Sequence, residues 1–380
     1  MDDNEIKILI TGDFCPINRI EQLALKRDFG SIFNDFIDVF QGNDLNITDL
    51  ECPLTTSSSA RPKIGPHQKA HPACIDILKK ADIHLAAMAN NHIMDYGLEG
   101  ALDTIHLCKS NNINTVGIGR TPEVAAKPFS VLIKGKTIAI FNFADSEFIT
   151  VPDNSVMCNP IDPLRLFYDI REARIKHDYL IVILHGGNEF YELPSPRMKK
   201  LCRYISDLGA DIVLTHHTHA YSGYEIYNSK PIFYGLGNFI YDWPGKRNIR
   251  WNSGYLVRLL LSDKINFEII PLKQNNEKPG LSHPDAGETK AFTEELDRMN
   301  QIIADEKLLE SEFDKYCNSL YPMYDSYIEP YFGKYITALS NRGLFPKFMT
   351  RRKRLLLLNI TRCESHRDVL LRMLARDEKS

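Results

Sequence analysis

Three histidines end a short apolar run in the segment Asp211-Ile-Val-Leu-Thr-His-His-Thr-His-Ala220. Because alternate side chains of an extended backbone point to the same side, His217 and His219 are expected to lie next to each other. Two adjacent imidazoles at the end of a strand can bind one metal ion, or one ion each of a pair. The pattern is also typical of a polar loop after a buried strand, so residues elsewhere in the chain must decide.

Four other predicted strands end in side chains of the types that bind metals. These strands are apolar or β-branched runs at 6–11, 44–51, 83–89 and 179–184. Their ends carry Asp13, Asp49 and Glu51, Asn91 and His92, and His185. Because parallel strands of an α/β sheet present their carboxyl ends at one edge, we expect these side chains to form a shared site.

The donors in these motifs are imidazole, carboxylate and amide groups, and none of the motifs depends on a cysteine. This set suits Mn²⁺, Fe or Zn²⁺ at a catalytic site and argues against a closed structural zinc site. The donors suffice for two divalent ions, and Glu51 is the natural bridge because its long side chain ends a strand. Such a pair activates a water molecule near neutral pH and binds both oxygens of an in-line displacement.

The elements that must position these residues alternate between strands and helices. Helical periodicity is found within 20–40 and over 72–80, 98–111, 164–176 and 195–208, and further strands are predicted at 115–118 and 231–239. Hairpins are expected over 129–143 and 255–271. Alternating strands and helices followed by hairpins are typical of a layered α/β domain.

The polar stretch Lys273-Gln-Asn-Asn-Glu-Lys-Pro-Gly280 predicts a boundary between a domain spanning 1–275 and a helical C-terminal extension spanning 276–380. Basic residues at 351–354, followed by four leucines, indicate either a segment that contacts a membrane surface or a partner, or a helix packed in a bundle. We expect the extension to pack on the α/β domain or on a partner without supplying a metal ligand, because neither His283 nor His366 has a second ligand at a suitable spacing.

Composition gives the remaining expectations. The chain has 380 residues, 43% hydrophobic and 25% charged, with a formal net charge of −3, which predicts no general affinity for nucleic acid or anionic lipid. Its eight cysteines form no CxxC pair and are expected to be mostly free, buried thiols in a reducing compartment. We predict no signal peptide and no membrane span, and therefore a cytoplasmic protein with at most peripheral membrane contact.

Six motifs, in this order along the chain, resemble those of the CapA family of capsule and poly-γ-glutamate synthesis proteins. They are Gly12-Asp13, Leu50-Glu51-Cys-Pro-Leu-Thr55, Ala89-Asn-Asn-His92, His185-Gly-Gly-Asn-Glu189, His216-His-Thr-His219 and Tyr234-Gly-Leu-Gly-Asn-Phe239. That family resembles the calcineurin-like metallophosphoesterases in its Asn-His and His-x-His motifs. The resemblance covers residues 6–272 and implies a layered metallophosphoesterase-like β-sandwich flanked by helices, with the extension outside it.

The resemblance also implies roles for individual residues. The implied metal ligands are Asp13, Glu51, Asn91, His185, His217 and His219. His92 would act as the acid or transition-state stabiliser, and Glu189 would orient His185. The sequence departs from the family pattern at Asp49, where an asparagine is usual, and this adds a negative charge beside the expected bridge. Many relatives also have an N-terminal membrane anchor, which is not predicted here.

Two functions remain open at this point. The first is a metal-dependent hydrolase or transferase, which acts on a phosphoester or an acyl-linked anionic precursor of a capsule or cell-envelope polymer, either poly-γ-glutamate or polysaccharide. The second is a non-catalytic accessory subunit, whose metal site stabilises it and which binds an anionic polymer or a synthase complex through its C-terminal helices. The presence of His92 beside an open metal site favours the enzyme, and the helical extension favours a partner.

Overall fold

The structure of the protein is a computed structural model that describes residues 4–149, 157–243, 249–274, 276–328 and 350–374, together with residues 335, 339, 342 and 344. Two β-sheets pack face to face, and helices cover the outer face of each sheet. The predicted layered α/β sandwich with C-terminal helices is therefore confirmed. Among the described residues, no helix combines the length and the apolar character that a bilayer span requires.

The first sheet has the order β16-β15-β14-β1-β2-β3-β4, and β13 pairs with the second half of β1. Strands β1 to β4 are parallel, whereas β14, β15 and β16 are antiparallel to their neighbours. The strands are β1 (Ile6–Cys15), β2 (Leu45–Leu50), β3 (Leu85–Ala87), β4 (Asn114–Val116), β13 (Asn238–Tyr241), β14 (Ser253–Leu261), β15 (Ile265–Gln274) and β16 (Leu281–Ser282).

The second sheet has the order β11-β12-β10-β9-β7-β6, in which β7, β9, β10 and β12 are parallel. A separate pair of short strands joins β5 to β8. The strands are β5 (Ile118–Gly119), β6 (Phe129–Ile133), β7 (Lys136–Ala144), β8 (Met157–Cys158), β9 (Tyr179–His185), β10 (Ile212–His216), β11 (Tyr224–Tyr227) and β12 (Lys230–Phe233).

Both faces of the central strands are buried, which explains their continuous apolar sequences. In β1, Ile8 and Ile10 point into the core between the two sheets, whereas Leu9 between them points to the helices outside the first sheet. The core between the sheets also contains Ile181 and Ile183 of β9. This packing fixes the directions of the strands and so brings their carboxyl ends to one end of the sandwich.

Helices cover both outer faces of the sandwich. Those on the first sheet lie early in the chain, and those on the second sheet lie in the middle of the chain and in the C-terminal extension. The α-helices are α1 (Arg19–Leu25), α2 (Phe29–Phe33), α3 (Ile75–Lys80), α4 (Gly97–Ser110), α5 (Pro122–Ala126), α6 (Pro163–Lys176), α7 (Pro196–Leu208), α8 (Ile249–Asn252), α9 (Ala286–Ala304), α10 (Glu306–Ile328), α11 (Arg351–Arg362) and α12 (Glu364–Leu374). Short 3₁₀ helices span Asn34–Phe40 and Pro72–Cys74.

The C-terminal helices pack directly on the sandwich. The first sheet continues past residue 275, because β16 pairs with β15. Helix α9 then begins with a capping box between Asp285 and Glu288 and buries Met299 and Ile303 against the outer face of the second sheet. The division into domains at residue 275 stays a prediction, but the helices beyond it share a hydrophobic core with the α/β part.

Two predicted strands each divide between sheets, and in the first case the run 115–118 contributes to β4 of the first sheet and to β5 of the separate pair. The run 231–239 forms two strands, β12 and β13, which lie in different sheets. Between them, Gly235 and Gly237 have φ angles of 147° and 73°, which turn the chain from one sheet to the other. The preceding strand β11 was not predicted. The expectation of free, buried cysteines is confirmed for all eight.

Candidate metal centre

The carboxyl ends of strands from both sheets meet at one end of the sandwich. From the first sheet come Asp13 in β1, Glu51 just after β2 and Asn91 after β3. From the second sheet come His185 at the end of β9, and His217 and His219 just after β10. The structure therefore brings all six predicted ligands together, although the site lies where two sheets meet and not at the edge of one.

The donors form two overlapping groups that share Glu51. In each group, one candidate ligand atom per residue lies within 4.8 Å of the others, and the groups are Asp13, Glu51 and His219, and Glu51, His185 and His217. Oε1 of Glu51 lies 3.5 Å from Nε2 of His219 and 3.6 Å from Nε2 of His185. Glu51 is therefore the one candidate donor that these two groups have in common.

Asn91 and Asp49 complete the surroundings of His185. Oδ1 of Asn91 lies 3.1 Å from Nε2 of His185, which adds an amide oxygen to the second group. On the other side of the ring, Oδ2 of Asp49 lies 3.2 Å from Nδ1. The geometry of this contact is not that of a hydrogen bond, because Nδ1 of His185 and both oxygens of Asp49 lack hydrogen-bond partners among the described residues. Asp49 also forms a further group of candidate donors with Asp13 and His185. Glu189, which was expected to orient His185, lies at an exposed position of the loop after β9.

Buried atoms without hydrogen-bond partners show that the residues fit a metal ion. Both carboxylate oxygens of Glu51 are buried and accept no hydrogen bond from the residues that the structure describes. Within the same part of the chain, Nδ1 of His217 is also buried and has no such partner. Because a buried carboxylate without donors is costly, a cation is the natural partner for this donor set.

The charges of the site point to the same conclusion. Burial raises the pKa of Glu51 well above its ordinary value, and the nearby carboxylates of Asp13 and Asp49 raise it further. Burial also opposes ionisation of Asp13, but its contacts with His216 and His219 outweigh this effect and hold the pKa of Asp13 well below its usual range. Burial lowers the pKa of His185 to about 3, which keeps its imidazole neutral and able to bind a metal.

The backbone around the site is tightly constrained. A Cβ atom at residue 12 would lie 2.0 Å from the carbonyl oxygen of Gly237, so only glycine lets β13 approach β1 beside Asp13. His217 and His219 have φ angles of 92° and 54°, which non-glycine residues rarely adopt. Strain of this kind is found where surrounding structure holds functional side chains in place.

A family model described as bacterial capsule synthesis protein PGA_cap matches residues 7–243, which include all the candidate ligands. The chain belongs to this family of bacterial capsule synthesis proteins. The family membership confirms the CapA resemblance predicted from the six motifs.

Two relatives are similar to the chain over most of their length. The PGA biosynthesis protein CapA of Bacillus subtilis (strain 168) is 29% identical over 298 residues, which cover 77% of this chain and 78% of that protein. The capsule biosynthesis protein CapA of Bacillus anthracis is 24% identical over 295 residues, which cover 74% of this chain and 71% of that protein.

Solved structures give weaker likenesses. A hypothetical protein from Thermus thermophilus has a TM-score of 0.42 at 12% identity, with 70% of this chain and 99% of that chain covered. The sulfate thiohydrolase SoxB of the same organism, solved in complex with glycerol, has a TM-score of 0.41 at 14% identity, with 73% of this chain and 46% of that chain covered.

Next to the candidate ligands of this family member lies a buried group formed by His92, Asp95 and Lys63. Nδ1 of His92 lies 2.7 Å from Oδ2 of Asp95 and 3.2 Å from Nζ of Lys63. Lys63 also forms an ion pair with Asp95. Of these three residues, the sequence motifs predicted a role only for His92. The spacing from His92 to Asp95 was a usable signal, whereas Lys63 lies in a loop without a recognisable motif.

Three further residues contact the candidate ligands and were also missed. Nδ1 of His216 lies 3.0 Å from Oδ1 of Asp13, and Oδ1 of Asn238 lies 3.0 Å from Nδ1 of His219. Oε2 of Glu147 lies 3.7 Å from Nε2 of His217. His216 and Asn238 lie within two of the six family motifs, so the sequence contained a signal for them. No sequence feature pointed to Glu147.

Two surfaces border the site. On the side of His219 there is an aromatic wall, with ring centroids of Trp251 and Tyr241 at 4.8 Å and 5.2 Å from the imidazole. On the side of His92 a basic groove of about 580 Å³ runs between the loop at 60–67 and the start of α11. The basic groove is lined by Arg61, Lys63, His67, Arg351 and Arg352, among others.

Proposed function

We propose that this protein is a metal-dependent hydrolase or transferase that acts on a phosphoester or an acyl-linked anionic precursor in the biosynthesis of a capsule polymer. The observation that carries the proposal is Glu51, which belongs to both donor groups and whose two buried oxygens lack hydrogen-bond partners among the described residues. The names of the two Bacillus relatives, which refer to PGA and capsule biosynthesis, support the polymer class.

In this proposal the two donor groups would hold divalent ions (Mn, Fe or Zn), with Glu51 available to both groups. Asp13 and His219 would hold one ion, and Asn91, His185 and His217 would hold the other. When bound, such ions supply Lewis-acid polarisation of the scissile group and activation of water. Asp49, whose Oδ2 lies 3.2 Å from Nδ1 of His185, is a further candidate donor.

His92 is proposed to donate the proton that the leaving group needs. Its ring is 5% exposed, and the contact of 2.7 Å with Asp95 fixes its orientation. A general acid held in this way beside a metal centre typically accounts for a rate factor of roughly 10²–10⁴. Glu189, at the exposed rim, stays a predicted catalytic residue. Burial lowers the pKa of His217, and Glu189 partly offsets this effect. At His219 burial is outweighed by the contact with Asp13, to which Glu189 adds, so the pKa of His219 is raised.

An anionic substrate is supported by the basic groove. Lys63 is one of the residues that line this groove, and its Nζ lies 3.2 Å from Nδ1 of His92, so the groove is next to the buried group that contains the proposed acid. Arg351 and Arg352 are exposed in the first turn of α11, where positive side chains oppose the helix dipole. A negatively charged substrate chain bound in the groove would offset the unfavourable interaction of these two arginines with the helix dipole.

The test is turnover with added Mn²⁺ of a generic phosphodiester, a generic phosphomonoester and a γ-glutamyl anilide. We expect at least one to be hydrolysed by the wild-type protein, and we expect His92→Ala to lose that activity while keeping its metal. The control is His106→Ala, which changes an exposed histidine of α4. Equal activity of wild type and His92→Ala would contradict the assigned role of His92.

The alternative function is a non-catalytic subunit of a synthase complex. It is favoured by a relative from Mycobacterium tuberculosis, 25% identical over 215 residues, whose name includes "polyglutamine synthesis accessory protein". Metal binding together with polymer binding, but without turnover of any of the three substrates, would support this alternative against the enzyme.

A further inference from the structure

Glu147, in the loop that follows β7, lies between the metal centre and the last two helices. It is 7% exposed, and its Oε2 lies 3.7 Å from Nε2 of His217. On its other side, Oε1 accepts a hydrogen bond of 3.0 Å from Nδ2 of Asn359 and lies 3.4 Å from Nε2 of His366. Glu147 therefore connects a candidate metal ligand to helices α11 and α12 at the far end of the chain.

The two ring nitrogens of His217 have different surroundings. Nε2 faces the carboxylate of Glu147, whereas Nδ1 is buried and has no hydrogen-bond partner within the described ranges. A metal-binding histidine uses one nitrogen for the metal and commonly donates a hydrogen bond to a carboxylate from the other. In the observed orientation of His217, Nδ1 is the nitrogen that can bind an ion, and Nε2 is the nitrogen that faces the carboxylate of Glu147.

His366 is itself held in a defined orientation. The hydroxyl of Tyr324 lies 2.6 Å from its Nδ1, and its Nε2 points to Glu147. With the tyrosine as donor, Nε2 carries the proton and donates towards Glu147. Glu147, Cys363 and His366 are of types that could hold an ion of their own. However, Oε1 of Glu147 already has partners, unlike the oxygens of Glu51.

The loop that carries Glu147 is fastened to the start of α12. Glu364 accepts hydrogen bonds of 2.8 Å and 3.0 Å from the backbone nitrogen and the hydroxyl of Ser146. The hydroxyl of Ser365 donates a hydrogen bond of 2.7 Å to Oδ2 of Asp145. These buried or half-buried contacts fix the loop relative to the helices, so the position of Glu147 depends on the extension.

We propose that Glu147 and His366 are positioning residues of the metal centre, and that α11 and α12 increase its affinity for metal by holding Glu147 against His217. The inference rests on the proposed function, because it takes His217 as a metal ligand. It also changes the expectation for the extension. The extension still supplies no ligand, but it orients one that the α/β part supplies.

The test is the affinity of the full-length protein for Mn²⁺, measured by calorimetry, together with the absorption spectrum of the Co²⁺-substituted protein. Glu147→Gln should bind Mn²⁺ about 10- to 100-fold more weakly than wild type. Its Co²⁺ spectrum should shift, which a purely structural role would not cause. His366→Ala should weaken binding in the same direction, and His366→Gln, which keeps an N–H donor, should restore it.

The control is Leu371→Ala, which changes a side chain of α12 that is 57% exposed. This variant leaves the contacts of α12 with the Glu147 loop in place. Its affinity for Mn²⁺ should equal that of wild type, and an equal loss in Leu371→Ala and His366→Ala would overturn the role of His366. Wild-type affinity in Glu147→Gln, with loss in His217→Ala, would overturn this inference alone. Failure of the wild-type protein to bind metal would overturn the proposed function as well.

Discussion

Nδ1 of His92 and Oδ2 of Asp95 lie 2.7 Å apart in the interior of the protein. Burial lowers the pKa of His92, and the positive charge of Lys63 lowers it further, whereas Asp95 raises it. The balance of these three effects sets the pH range in which His92 can carry the proton that the proposed reaction requires.

Lys63→Met should shift the descending limb of the pH profile to higher pH. Removing the positive charge takes away one cause that lowers the pKa of His92, so the protonated form persists to higher pH. The measurement is kcat/KM against pH for the best substrate found. Lys69→Met, which changes another lysine of the same loop, should leave the limb in place. An unshifted limb in Lys63→Met would show that His92 is not the acid.

Metal content should depend on the histidines after β10. Wild-type protein should contain up to two divalent ions, and the double variant His217→Ala/His219→Ala should contain fewer, because each group loses one imidazole. Elemental analysis after extensive dialysis gives the stoichiometry. The matched control replaces His106 and His177, which lie outside the donor groups. Equal metal content in wild type and the double variant would refute the proposed site.

Stabilisation by metal should increase with pH. In the metal-stripped protein, Glu51 has a pKa raised above its ordinary value of 4.5. A group whose pKa is higher in the folded than in the unfolded state stabilises the folded protein at pH values below its unfolded-state pKa. This stabilisation is lost as the pH rises through its folded-state pKa. Metal binding replaces the proton, so the difference in Tm between the loaded and stripped protein should grow as pH rises from 4.5 through the raised folded-state pKa of Glu51. A difference that is constant with pH would contradict the assignment of Glu51.

Helix α10 should contribute to the stability of the whole protein. Leu309 is 1% exposed and packs in the cluster on the second sheet, whereas its neighbour Leu308 is 40% exposed. Leu309→Ala should therefore lower the free energy of unfolding by about 2–5 kcal/mol, and Leu308→Ala by about 0.5 kcal/mol. Urea denaturation measures both. Similar small effects would mean that the extension folds independently of the sandwich.

The basic groove should contribute to the binding of long anionic substrates and not to the binding of small ones. Arg351→Glu/Arg352→Glu should raise KM for an anionic polymer several-fold and leave hydrolysis of a small substrate unchanged, because the two arginines line the groove and belong to neither donor group. Lys264→Glu/Lys290→Glu makes the same change of net charge elsewhere and should have no effect on either substrate. Equal effects of both double variants would indicate that overall charge is responsible.

Much of the candidate site could be predicted from the sequence. Each ligand follows an apolar run that forms a strand, and such runs can be recognised because a buried strand needs continuous apolar residues. Asp13, Glu51 and His185 were found in this way, before any contact between them was known. The alternation of strands and helices likewise predicted the layered fold, since local periodicity depends only on neighbours in the chain.

Local patterns failed where a contact depends on the whole fold. The run at 231–239 was predicted as one strand, but its glycines carry the chain between two sheets, and hydropathy contains no information on which sheet a residue joins. Similarly, Asp49 of β2 lies 3.2 Å from Nδ1 of His185 in the other sheet, a contact that no local pattern indicates. The role of Glu189, which the family resemblance implied, stays a prediction.

The chemistry of the ligands was thus determined by the sequence, because the type of each donor and its place at a strand end are local properties. Only the tertiary structure decided which other side chains hold the candidate ligands in position. Glu147 and Asn359 are 212 residues apart, yet they share a hydrogen bond beside the metal centre. Such a pair forms because α11 and α12 fold back over the loop after β7, and their burial fixes polar side chains that no spacing in the sequence connects.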